Sequence, residues 1–135
     1  MTMALCFHCG DVKFGALCPC LTCQGLPVSN VDLNIVFSDH QYSEQTLHEF
    51  GAVLRAIRAI TSKPDEGFWS FIRYISLEHP TILRVDFAQH VVQRLDEILG
   101  ATHLPPVTVR KSWRGAMLEK AENQKLDPET SPEVD

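Results

Sequence analysis

Five cysteines fall within eighteen residues near the start of the chain, in the run "CFHCGDVKFGALCPCLTC": Cys6, Cys9, Cys18, Cys20 and Cys23. Cys6-x-x-Cys9 and Cys20-x-x-Cys23 each have the spacing that lets two thiolates take one face of a tetrahedral ion. Two such knuckles make a zinc-ribbon-like site of four cysteines. Cys18 is then left over, or replaces Cys20 as the fourth ligand, and His8 between the first pair points away. The competing reading is two disulfides plus one free thiol, which a reducing compartment disfavours. Either arrangement staples a segment too short to fold on a core of its own. A catalytic cysteine is the weakest reading, because no His/Asp pair that would activate one is evident.

The second reactive set is spread along the chain. In "VDLNIVFSDHQYSEQTL" a strand pattern passes into a helix pattern, with Asp39, His40 and Tyr42 at the joint. A helix N-terminus there favours anions. The same pattern returns at Arg84-Val85-Asp86, and Asp86 and His90 are four apart on the following helix, facing one point. Asp86 and His90, with Asp39, suit a divalent catalytic ion, zinc or magnesium. His79 is a third imidazole able to move a proton near neutrality. These groups would suit phosphodiester cleavage. One takes the proton of a ribose 2′-OH, another protonates the leaving oxygen, and Arg84 or Lys111 steadies the phosphorane. In a metal-free version two histidines move the protons and the metal belongs to the cysteines alone. Tyr42 and Trp113 are candidate stacking partners for splayed bases.

Each of these residues also has an ordinary reading. Asp86 with Gln89 three residues on forms a capping box. His79 complements the dipole at a helix C-terminus, and Asp39 suits a turn. His48 and His103 read as surface or loop residues, and Arg55 with Arg58 as a solvated helix face. Recurrence at the ends of adjacent elements is what favours the functional reading.

The elements that must position them follow from periodicity. Residues 32–37 alternate, with Leu33, Ile35 and Phe37 on one side, and predict a strand. Ser43 caps a helix whose buried stripe is Leu47, Phe50, Leu54 and Ile57. After Lys63-Pro64-Asp65 a second helix carries Phe68, Ile72 and Ile75 and stops before Pro80. Residues 81–85 form a strand candidate. Asp86 starts a third helix, which buries Val91, Leu95 and Ile98 and ends at Gly100. Residues 107–111 read as a last strand. The expected class is α+β: a small sheet covered by about three helices, with a Cys-rich N-terminal knuckle. Composition divides the chain into a Cys-rich segment (1–27), an α+β core (28–114) and a polar acidic tail (115–135).

At 135 residues, 44% hydrophobic and 21% charged, the chain is long enough to bury a core. The net charge is −5, and residues 119–135 hold six acids and two lysines, −4 of that total. The remainder is near neutral, which excludes a general electrostatic coat for nucleic acid but leaves room for a local phosphate site. No apolar run approaches the roughly 18 residues a membrane span needs. The start lacks the regions of a signal peptide, so a cytoplasmic protein is expected.

The runs "CxxCGDVKFGxxCPCxxCQG", "NIVFSDHQYSxQTLxxFG", "KPDEGFWxFxRYISL" and "ILRVDFAQHVVxRLDEIL" together resemble the ageritin-type, ribotoxin-like ribonucleases of basidiomycete mushrooms, over most of residues 5–100. The resemblance implies an endoribonuclease that cuts one phosphodiester in the sarcin–ricin loop of large-subunit ribosomal RNA and stops translation. It also implies dependence on a divalent metal, no secretion signal, a role in defence, and the ribosome as partner; a monomer is the expected state. Asp39, His40, Tyr42, Arg84, Asp86 and His90 lie in the matching stretches; His79 lies where the pattern is thinnest. The alternative from another class is a non-catalytic zinc-ribbon adaptor for RNA or protein, and a third is a hydrolase of small phosphoesters.

Overall fold

The computed structural model describes residues 3–112. Two short strands, β1 (Met3–Leu5) and β2 (Val12–Phe14), precede four helices: α1 (Val31–Val36), α2 (Glu44–Ile60), α3 (Pro64–Glu78) and α4 (Gln89–Ala101). The strands pair antiparallel, Met3 opposite Phe14 and Leu5 opposite Val12. The class is α+β with a small sheet and a cysteine cluster at the N-terminus. No helix among the described residues is long and apolar enough to cross a membrane.

The sheet is not made of the segments that alternation picked out. Residues 32–37 fold into α1, with Phe37 just past its end. The Asn30 side chain accepts from the Leu33 N–H at 3.2 Å and so caps it. Asn34 is buried, donating to the carbonyls of Val28 (2.8 Å) and Asn30 (3.1 Å). The inward face is therefore Leu33, Asn34 and Phe37, a helical set, while Ile35 is left exposed. Residues 81–85 form no strand either. Ile82, Leu83 and Val85 pack on the core from turn and coil, and the Val85 N–H bonds the Ser76 hydroxyl at 3.1 Å. Residues 107–111 form no strand and reach only one bridge, Lys111 to Tyr42. Their backbone instead bonds the first turns of α2: Arg110 N–H to the Thr46 hydroxyl (2.9 Å), and Thr108 N–H to a Glu49 carboxylate oxygen (2.9 Å).

The α2 stripe is buried as expected, with Val53 added, and Ser43 caps the helix by accepting the Thr46 N–H at 3.2 Å. In α3, Pro64 occupies the first turn, where its missing N–H costs nothing. Asp86 does not cap α4. The helix begins at Gln89 after Ala88, without a side-chain cap, and continues through Gly100 to Ala101. Gly100 does not adopt the left-handed conformation of a C-cap. Edge-to-face rings tie the layers together: Phe7–Phe37 at 5.5 Å, Phe37–Phe50 at 5.6 Å and Phe50–Phe71 at 6.2 Å. Phe7 brings the cysteine segment into the same core as the helices.

Candidate metal centre

Each cysteine pair is built by the same local device. After Cys6 the Gly10 N–H returns to the Cys6 carbonyl (2.9 Å), and after Cys20 the Gln24 N–H returns to the Cys20 carbonyl (2.8 Å). Gly10 and Gln24 both take positive φ, +81° and +60°. The chain thus curls around the space between the two sulfurs of each pair. The hairpin β1–β2 and its following turn bring the two curls face to face.

Four ligand sulfurs, those of Cys6, Cys9, Cys20 and Cys23, lie within 4.8 Å of one another. Cys6 Sγ is 3.6 Å from Cys23 Sγ, and Cys9 Sγ is 3.7 Å from Cys20 Sγ. A tetrahedral ion with Zn–S bonds near 2.3 Å needs sulfurs about 3.8 Å apart, so the quartet fits such an ion. All five cysteines are free thiols, which leaves the disulfide alternative unused. Cys18, open as a fourth ligand in the sequence, is exposed and outside the quartet; Cys20 is buried within it. His8 does turn away, its Nε2 meeting the Leu26 carbonyl at 2.8 Å. Burial pushes the Cys6 and Cys9 thiols up. For Cys20 burial pushes the same way, but the N–H groups of Cys23 and Thr22 and the neighbouring thiols outweigh it and bring it down to about 7.

Around this quartet lie two arginines that helical spacing alone assigns to a solvated face. Arg58 donates to the Phe7 carbonyl, between Cys6 and Cys9, at 2.6 Å, and to the Pro64 carbonyl at 3.3 Å. Arg55 donates to the Gly10 carbonyl at 3.0 Å and lies 3.7 Å from Asp11. Four thiolates on a divalent ion leave a charge of −2, which cations at this range offset. Spacing carried no signal for this role, because the carbonyls they meet reach α2 only when the hairpin docks.

The other candidates divide into two groups. Asp39 and His40 follow α1, with the Asp39 N–H on the Met3 carbonyl at 2.8 Å. Ser38 builds the joint, donating to the Ile35 carbonyl (2.5 Å) and accepting the His40 N–H (3.4 Å). Asp39 Oδ1 is buried without a hydrogen-bond partner. Tyr42 is bridged to Lys111, and the Ser112 N–H meets the Gln41 carbonyl at 3.1 Å. At 7% exposure Tyr42 is too buried to offer a base its ring face, and burial holds its hydroxyl above the usual phenol range. His79 is wedged edge-on against Phe50 and Tyr74, each 5.8 Å away, with Nε2 shut off from solvent and unpartnered. Trp113 and the acidic tail (115–135) lie outside the described residues.

Asp86 and His90 sit elsewhere, both exposed. Asp86 lines a cleft with Trp69 and Phe87, and His90 one with Asp65, Glu66 and Trp69. These are the N-terminal turns of α3, whereas His79 caps its C-terminus. A helix of that length spans about 20 Å. Arg84 is exposed on the connection between the ends. Among the described residues the cysteine quartet is the one group of three or more His, Cys, Asp or Glu ligands drawn together, so Asp39, Asp86 and His90 do not assemble an ion site. His48 and His103 are exposed, as expected. Comparison with protein-family models, curated proteins and solved structures finds no match to this chain.

Proposed function

We propose that the chain is a ribotoxin-like endoribonuclease that cuts one phosphodiester in the sarcin–ricin loop of large-subunit ribosomal RNA, and that its cysteine quartet holds a structural zinc ion. The sequence resemblance over residues 5–100 supports the reaction class. One arrangement supports the site: the Asp39–Tyr42 joint meets Lys111, which arrives from the C-terminal segment through its bridge to Tyr42. A base, a donor and a cation are then within a few residues of one another.

In this reading His40 takes the proton from the ribose 2′-OH, and Lys111 steadies the charge on the phosphorane. Tyr42, a phenol that is protonated at neutral pH and that burial shifts further up, supplies the proton to the leaving oxygen. Beside this joint Asp39 keeps one buried carboxylate oxygen without a hydrogen-bond partner. His79 is a packing residue, and Asp86 and His90 stand outside the reacting centre. The zinc ion holds the cysteine segment on α2 and takes no part in proton transfer.

The test is incubation with intact ribosomes followed directly by electrophoresis of the RNA. A single short fragment from the 3′ end of the large RNA is expected. His40→Ala, Tyr42→Phe and Lys111→Ala lower its rate by roughly 100-fold or more, while Asp86→Ala and His90→Ala change it little. A non-catalytic zinc-ribbon adaptor is the rival, favoured by the quartet being the one assembled ligand group among the described residues. It expects intact RNA at any dose of protein.

A further inference from the structure

A groove of about 520 Å³ opens between the turn after β2 and α1, lined by Phe14, the turn residues 15–18, Ile35 and His40. Its walls are apolar and open to solvent: Phe14 is 56% exposed, Leu17 53% and Ile35 39%. Strand alternation explains Phe14, because its neighbour Lys13 points inward and is buried. From there the Lys13 ammonium donates to the Cys18 carbonyl at 2.5 Å, and Gly15 turns the chain at φ +87°. Two residues beyond Cys18 the wall is anchored by Cys20 of the metal quartet. The groove is thus held in shape before anything enters it, which lowers the cost of binding.

We infer that this groove is a nucleobase subsite, in which an unstacked base of single-stranded RNA lies on the Phe14 ring while the adjoining phosphate reaches His40. The inference rests on the ribonuclease reading of His40. Two observations favour RNA as the occupant. An exposed aromatic face beside an apolar wall is what a splayed base stacks on, whatever its identity. No carboxylate lines this groove, whereas each cleft around Trp69, the other exposed aromatic platform among the described residues, carries at least one of Asp65, Glu66 and Asp86, beside Arg58 in one and Arg94 in another. The metal-stapled segment then serves the reaction as well as the fold, because it supplies one wall of the substrate site.

The experiment is fluorescence anisotropy of a short labelled oligoadenylate, 2′-O-methylated so that it cannot be cut, with the full-length metal-loaded protein. Phe14→Ala is expected to weaken binding by roughly 10- to 100-fold, the range for loss of one base–aromatic stack. Phe14→Trp keeps the affinity, and Phe14→Leu, which retains apolar volume without a π face, behaves like the alanine variant. Equal binding by all four proteins overturns the inference, as does no binding by the wild type. Binding by Phe14→Leu equal to wild type also overturns it, and shows that the apolar face covers another segment of this chain or a protein. Should Phe14→Ala lose its metal, the Leu and Trp variants decide. Ribosome cleavage by the wild type, scored in parallel, tests the ribonuclease reading separately.

Discussion

Cys18 and Cys20 are separated by one proline and have opposite environments. Cys20 is 2% exposed with its sulfur among three others, while Cys18 sits on a turn whose carbonyl is tied to Lys13. Spacing counts could not choose between them, because both lie within reach of Cys23 and the choice depends on where the turn closes. Cys18→Ser is therefore expected to retain one metal ion per chain by elemental analysis, and Cys20→Ser to lose it and unfold the cysteine segment. His79 carries a second residue-scale consequence. Burial against Phe50 and Tyr74 lowers its pKa from the ordinary 6.5, with the charge of Glu78 opposing. The unfolded chain then binds the proton more readily than the folded one, so this contribution to stability is complete above about pH 6.5 and declines as pH falls toward the lowered value. His79→Phe is expected to flatten the fall in melting temperature between pH 7 and pH 5; an unchanged slope would show that the imidazole is not confined.

At the scale of elements, α2 does most of the positioning. Its Ser43 end receives the C-terminal segment, its middle carries the aromatic core, and its far half grips the cysteine segment through Arg55 and Arg58. The grip depends on contact between two backbones. A Cβ on Gly51 would run into the Gly10 carbonyl oxygen, and one on Gly10 would lie 2.6 Å from the Gly51 carbonyl oxygen at a φ that side chains avoid. Gly51→Ala improves helix propensity yet is expected to cost about 1–3 kcal/mol in chemical denaturation, because the hairpin must move off the helix. Periodicity revealed the long helices clearly, since seventeen- and fifteen-residue segments hold several turns of one pattern. It misread residues 32–37, where six residues fit either period and the Asn30 cap with buried Asn34 decides.

Across the whole molecule the cysteine segment and the helices share one aromatic core, with Phe7 touching Phe37, Phe68 and Phe71. Loss of metal should therefore be felt beyond the cysteines. A strong chelator is expected to lower the melting temperature of the entire protein in a single transition, read by near-ultraviolet circular dichroism. Two separate transitions would mean that Phe7 couples the parts weakly.

Local chemistry was written in the order of residues: two CxxC knuckles, a serine cap and three amphipathic stripes follow from contacts reaching only a few positions along the chain. Which reactive groups meet was not. His79 and His90 are eleven residues apart in sequence but lie toward opposite ends of α3, whereas Tyr42 and Lys111 are bridged across the length of the fold. Meetings of that kind depend on how helices pack and where loops return, and packing is a property of the assembled core rather than of any one segment.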